Sequence, residues 1–295
     1  MKIESVEVLK SNLDASVNFV CKGDFPGYLE ARYVRRSPEY VICYLSSQSG
    51  CAQACRFCHL TATGQTQLAN ANLSGYEQQA DIVLKYYDSL NQPANRIHFG
   101  FMSRGEALAN PNLTMEKDYS ILQMLAHKAM DHNLFPRYTI STIMPNCIKG
   151  KKLIDMFPVI HPDFYYSIYS MDPTFRKKWM SQALPAEEGL DMLAGWQEKT
   201  RKIVKLHWAF IEDENDSTDR VSAICDAVNV RKLRVDINLV RYNPHSPKLG
   251  KETADGTVKQ NVLLIQSLLP KETKIKVVDR IGFDVSASCG LFMAR

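Results

Sequence analysis

The sequence predicts an α/β fold of six β-then-α units, a partial (β/α)6 barrel or an open sheet, preceded by a small β-meander. Three observations predict it. From about residue 38 onward, short runs rich in Val, Ile, Tyr and Phe alternate with longer stretches whose apolar residues recur at helical spacing. The connections between these runs are short. The first 37 residues instead alternate apolar and polar positions, broken by turn residues. A strand followed by a helix, repeated, implies parallel pairing, because parallel strands need a crossover connection.

The elements follow in order. KIESVEVLK, SVNFVCKG and YLEARYVRR read as the three strands of a meander over residues 1–37, with Asn12, Asp14, Gly23, Pro26 and Gly27 at the turns. Residues 38–295 hold the barrel. Its strands are EYVICYLSS, RIHFGFMS, RYTISTI, FYYSIYS, KIVKLHWAFI and RVDINLVRY, and KIKVVDRIGF closes the pattern. Its helices are GYEQQADIVLKYYDSL, YSILQMLAHKAMDH, KKLIDMF, AEEGLDMLAGWQEKT, DRVSAICDAVNV and VKQNVLLIQSLL. The stretch 245–257, HSPKLGKETADGT, reads as a mobile loop. Sites in such folds lie at the C-terminal ends of the strands.

Composition narrows the class. A chain of 295 residues with 45% hydrophobic and 23% charged residues suits a soluble globular protein. A net charge of +4 permits a nucleic-acid partner without requiring one. The N-terminus lacks the apolar core of a signal peptide, and no apolar run is long enough to cross a membrane. The expectation is a cytoplasmic protein without a membrane partner. In that reducing setting the eight cysteines read as ligands, catalytic thiols or core residues rather than disulfides.

The central motif is SSQSGCAQACRFCHLTATG, directly after the first barrel strand. Cys51, Cys55 and Cys58 stand in C-x3-C-x2-C spacing, with Phe57 before the third. Three thiolates can bind three irons of a [4Fe-4S] cubane and leave the fourth open. A structural zinc wants four ligands, and His59 adjoins Cys58 too closely to serve as the fourth. With its aromatic residue, the motif resembles that of the radical S-adenosylmethionine (SAM) enzymes. That resemblance implies a radical SAM partial barrel, and SAM as the molecule that chelates the open iron.

The surroundings resemble one branch, the RlmN and Cfr family of radical SAM RNA methyltransferases, over about residues 28–295. Six segments carry the resemblance in the family's order: SSQSGCAQACRFC, FMSRGEALANPNL, RYTISTIMP, YYSIYSMDP, VRYNPHSP and DVSASCGLF. The resemblance implies roles residue by residue. Gly105 and Glu106 would bind the SAM amino group. Ser141, Ser167 and Asn243 would face SAM, with Ser170 a rival to Ser167. Cys289 would accept a methyl group from one SAM, and a second SAM would supply the 5′-deoxyadenosyl radical that activates it. The product would be a methyl group on an adenine ring carbon, C2 ahead of C8. The partners implied are a ribosomal or transfer RNA and an electron donor such as a flavodoxin, with the enzyme acting as a monomer.

Two departures stand out. The family places a resolving thiol as C-x-SSQ, whereas this chain reads CYLSSQ, so Cys43 is one residue too far and Tyr44 holds the expected position. In a regular strand that shift turns the side chain to the other face, unless a bulge absorbs it. Glu30 stands thirteen residues before Cys43, the family's spacing between its proton-accepting Glu and the resolving thiol. An inserted residue between Cys43 and Ser46 would preserve both roles. The second departure is the meander, where the family has a helical N-terminal domain. Arg32, Arg35 and Arg36, with Tyr33, Tyr40 and Tyr44, could grip RNA there, or form only a solvated edge and core. Cys21, Cys147 and Cys225 match no role. The alternatives are a radical enzyme acting on a non-RNA acceptor, or a non-catalytic, metal-containing RNA-binding protein.

Overall fold

The computed structural model describes residues 1–115 and 120–293. Ten strands form one sheet in chain order. They are β1 (Ile3–Lys10), β2 (Val17–Gly23), β3 (Phe25–Ser37), β4 (Tyr40–Tyr44), β5 (Arg96–Phe101), β6 (Phe135–Thr142), β7 (Asp163–Ser167), β8 (Val204–Ala209), β9 (Val235–Val240) and β10 (Ile275–Val278). Strands β1 to β4 pair antiparallel as the expected meander. From β4 to β10 every pair is parallel. Strictly sequential order puts every crossover on one face of the sheet. The helices therefore cover that face, and the sheet curls about the other as an incomplete barrel.

The helices are α1 (His59–Ala62), α2 (Leu73–Ser89), α3 (Pro111–Thr114), α4 (Ile121–Asp131), α5 (Leu153–Met156), α6 (Pro173–Trp179), α7 (Ala186–Thr200), α8 (Thr218–Val230) and α9 (Asp255–Leu268). Local chemistry sets their starts. Asn72 caps α2 by accepting from the Gly75 N–H at 2.9 Å. Ser120 and Gln123 cap each other reciprocally at the start of α4. Tyr119, first residue of the segment read as that helix, lies outside the described residues. Helix α6 was not foreseen: Asp172 caps it, accepting from Thr174 N–H at 2.8 Å, with Pro173 at its first position. The 245–257 stretch contains a 3-10 turn at Pro247–Leu249 and the first turn of α9.

The central strands bury one face fully, Leu206 and Ile237 among its residues, while the alternate positions such as Lys205 and His207 are half-buried. Beyond β10 the chain turns back across the open side of the barrel. Asp284 meets the β1–β2 turn, accepting from the Ser11 hydroxyl at 2.7 Å and the Asn12 N–H at 2.8 Å. Residues 285–293 then run alongside β2 and β3 to the mouth of the barrel. Among the described residues, no helix is long and apolar enough to cross a membrane.

Candidate active site

The SSQSG segment leaves β4 and is pinned by its own side chains. The Ser46 hydroxyl accepts from the Glu30 N–H at 2.8 Å and the Arg104 N–H at 3.2 Å. Gln48 accepts from the Glu106 N–H at 3.0 Å through its side-chain oxygen. Gly105 has φ +88°, and a Cβ there would meet Gln48 Cβ at 2.6 Å, so only glycine lets the two loops touch. The cysteine loop and the Gly105–Glu106 loop thus form one rigid rim, built on β4 and β5.

A cavity opens beneath this rim. Its wall includes Cys51, Cys55 and Cys58, Gly105 and Glu106, Ser141, Ser167, Asn243 and Cys289. Of the eleven residues singled out as site candidates, these nine are brought together. Ser170 lies elsewhere, its hydroxyl accepting from the Asp172 N–H at 3.1 Å before α6. Tyr169 and His207 also line the cavity and were missed in the sequence. Tyr169 stacks on Phe57 with ring centroids 4.2 Å apart. His207 is half-buried, and its buried Nδ1 has no protein partner. Only its alternating position in β8 could have signalled that it points into the barrel.

Electrostatics favour a cationic guest. Burial, then mutual repulsion, raises the thiols of Cys51, to about 12, and Cys55, well above the ordinary value; burial raises Cys58 as well. Among the described residues no three His, Cys, Asp or Glu side chains surround one point at metal-binding distance. The three thiols nevertheless share one wall and feel one another's charge, which an iron cluster would neutralise. Burial also pushes Glu106 up to about 7, against hydrogen bonds from the Thr142 side chain and the Ile143 and Leu108 N–H groups.

A second cavity lies on the other side of Cys289. Arg36, Tyr44 and Arg280 line it, and Met102, Val240, Arg241, Cys289, Gly290 and Phe292 belong to both. Cys289 is exposed, but crowding by its neighbours raises its thiol, opposed by the Arg36 and Arg32 guanidiniums.

Two expected roles are not supported by the placement. Cys43 is fully buried in the core and lines neither cavity. No bulge rescues it: β4 pairs with β5 in unbroken register from Tyr40 to Tyr44, so neighbouring side chains alternate and Tyr44 faces the site. Glu30 also lines neither cavity. It is wholly buried between Arg32 and Arg104, each 2.8 Å away. Burial would raise its carboxyl, but the two guanidiniums outweigh this and hold it below the usual carboxylate range. Of the expected RNA grip, Arg32 and Tyr33 are buried and Tyr40 stacks on His98, which leaves Arg36 and Tyr44 at the outer cavity.

The barrel, with Cys51, Cys55 and Cys58 together on the wall of its cavity, has the fold of the radical SAM enzymes. No protein-family model matches the sequence. The chain is 29% identical over 254 residues to the ribosomal RNA large subunit methyltransferase Cfr of Bacillus velezensis, covering 83% of this chain and 67% of that protein. It is 25% identical over 261 residues to the dual-specificity RNA methyltransferase RlmN of Helicobacter hepaticus, covering 87% and 66%. The fold superposes on the crystal structure of a radical SAM methyltransferase from Sphaerobacter thermophilus with a TM-score of 0.82 and 18% identity, over 99% of this chain and 82% of that one. The chain is thus similar in sequence to the Cfr and RlmN methyltransferases and in fold to a radical SAM methyltransferase.

Proposed function

We propose that the protein methylates a ring carbon of adenine in RNA, at C2 in preference to C8, with Cys289 as the methyl carrier. The observation that carries this reading is the position of Cys289 on a wall common to both cavities. The inner cavity has the thiols of Cys51, Cys55 and Cys58 to hold a cluster, and Glu106, Ser141 and Ser167 to hold SAM. When bound, these cofactors supply an electron and a carbon radical able to remove a hydrogen atom.

The residues of the chain do the rest. Cys289 would take the SAM methyl group as a thiolate, with S-adenosylhomocysteine as the leaving group, and Arg36 and Arg32 favour that form. Arg36 gives the outer cavity a guanidinium suited to a phosphodiester, while Arg241 and Arg280 on the same wall are paired with Glu252 and Asp255. Tyr44 offers a face on which an unpaired base can stack. Electrons reach the cluster from a separate carrier such as a flavodoxin. The relatives' names, with their RNA substrates, support the acceptor assignment.

The test supplies methyl-labelled SAM and total RNA to the reduced, reconstituted enzyme and digests the RNA to nucleosides. Label in a C-methyladenosine is the expected result. Label that stays on Cys289 whichever RNA is supplied would sink the RNA assignment.

A further inference from the structure

The mouth of the barrel is closed by residues 285–293, the segment that carries Cys289, which packs Phe292 against Arg32 and Arg104 and is hydrogen-bonded through its backbone. Arg32 donates from Nη1 to the Ala287 carbonyl at 3.0 Å, and from Nη2 to the carbonyls of Leu291 at 3.0 Å and Ser286 at 3.2 Å. Asn18 donates to the Val285 carbonyl at 3.1 Å and Asn243 to that of Cys289 at 2.9 Å. Gln65 donates to the Met293 carbonyl at 2.9 Å.

Except for the Asn243 bond, whose amide is held by Arg280, these ties converge on one carboxylate. Glu30 Oε2 accepts from Arg32 at 2.8 Å and from Asn18 at 3.0 Å. Glu30 Oε1 accepts from Arg104 at 2.8 Å and from the Met293 N–H at 3.1 Å. Arg104 in turn reaches the Ser49 carbonyl at 3.3 Å, bonds to the Gln65 side chain, and immediately precedes Gly105 and Glu106. One buried charge therefore meets the Cys289 segment, the cysteine loop and the Gly105–Glu106 loop. A buried guanidinium stripped of its counter-charge does not keep its geometry, because it must find water or another acceptor.

We propose that Glu30 is a positioning residue, whose carboxylate locks the 285–293 segment against the cysteine loop and so fixes Cys289 on the wall between the two cavities. The lock itself stands on geometry; its consequence for methyl transfer rests on the reading of Cys289 as methyl carrier. Glu30 takes no proton from substrate in this arrangement. It serves by staying ionised and immobile.

The experiment compares the full-length reconstituted protein with Glu30→Gln, an isostere that cannot neutralise two guanidiniums. Backbone hydrogen exchange is followed by mass spectrometry, together with single-turnover methylation of Cys289 at saturating SAM. Exchange of residues 286–293 should rise by about tenfold or more, while β8 and β9 stay protected. The methylation rate should fall without a matching loss of SAM affinity, and Glu30→Asp should recover part of it. Unchanged exchange in 286–293, or an equal rise across the whole barrel, would overturn the proposal. If Glu30→Gln does not fold, Asn18→Ala removes one tie to Val285 and leaves both ion pairs. It must then loosen the same segment selectively, and no change would count against the lock. If Cys289 proves not to be methylated in the wild-type protein, the functional reading fails while the exchange data still judge the lock.

Discussion

Tyr44 shares the wall of the outer cavity with Cys289, near enough that a charge on that thiol adds to the effect of burial in pushing its phenol up to about 12. Its neighbour Cys43 points the other way, into the core, where burial pushes its thiol far above the ordinary value. A thiol so placed cannot meet an adduct on Cys289. Cys43→Ala should therefore lose about 1 kcal/mol of stability from the small void it leaves. It should methylate Cys289 at the wild-type rate and release product normally. Denaturant unfolding and gel analysis for covalent protein–RNA species check both halves. A trapped adduct in Cys43→Ala would show that β4 changes register during turnover.

Glu106 gives a pH prediction. Its carboxyl, pushed up to about 7 by burial, is half protonated near neutrality. Contact with a ligand that donates N–H groups and carries a sulfonium charge would lower that value in the complex, so binding releases a proton below pH 7. SAM affinity should weaken as pH falls through 7, approaching about tenfold per pH unit, and level off above it. Glu106→Gln should bind more weakly with a flat profile. Equilibrium dialysis of SAM on either side of pH 7 reads both. The sign reverses for the stability of the free protein. A raised folded value means that Glu106 contributes fully below the ordinary carboxylate range, and that this is lost as pH rises through about 7.

Much of this site was legible in the sequence because its parts sit at strand ends in fixed order. Cys51, Cys55 and Cys58 declare themselves by spacing, whereas Ser141 and Ser167 read alone as ordinary strand serines and stand out only through the resemblance of their segments to the family's series. The parallel barrel followed from the alternation of periods. Residues whose function depends on which face of a strand they occupy were harder. Cys43 and Tyr44 differ by one position, and only the register of β4 against β5 decides between them. Glu30 kept the family's spacing but not its setting, because its partner Arg104 lies 74 residues away and no local pattern announces the pair. Asn243 was read as facing SAM. It does line the inner cavity, yet its amide also holds the Cys289 carbonyl and accepts from Arg280 at 2.7 Å.

Gly105 should tolerate no side chain. A Cβ would stand 2.6 Å from Gln48 Cβ and 2.8 Å from the Gln48 backbone nitrogen, at a φ of +88° that disfavours any L-residue. Gln48 is 4% exposed and its side chain holds the Glu106 N–H, so it cannot retreat without releasing the loop. Gly105→Ala should cost roughly 1–3 kcal/mol and abolish measurable SAM binding. Gly64→Ala is the contrast, since φ is +69° there but nothing lies within 4 Å of the added atom. It should pay only the conformational cost, about 1 kcal/mol, and bind SAM normally. Thermal unfolding paired with SAM binding separates the two. Equal behaviour of the variants would mean that contact with Gln48 does not govern the loop.

The cysteines make the last prediction. Three thiols crowded on one wall, each raised by burial, form a poor set of free thiols and a good set of ligands for a cation that binds their deprotonated forms. Anaerobic reconstitution with iron and sulfide should load about four irons per chain. Replacing Cys51, Cys55 or Cys58 singly by Ala should lose most of the iron and the broad visible absorption of the cluster. Cys147→Ala should lose neither, because Cys147 is exposed in the 3-10 turn Asn146–Ile148 and lines no part of the inner cavity. Cys289→Ala separates the two sulfur roles: it should load iron fully and bind SAM, yet carry no methyl group. Iron loss in Cys289→Ala would place that thiol among the ligands and remove it as methyl carrier.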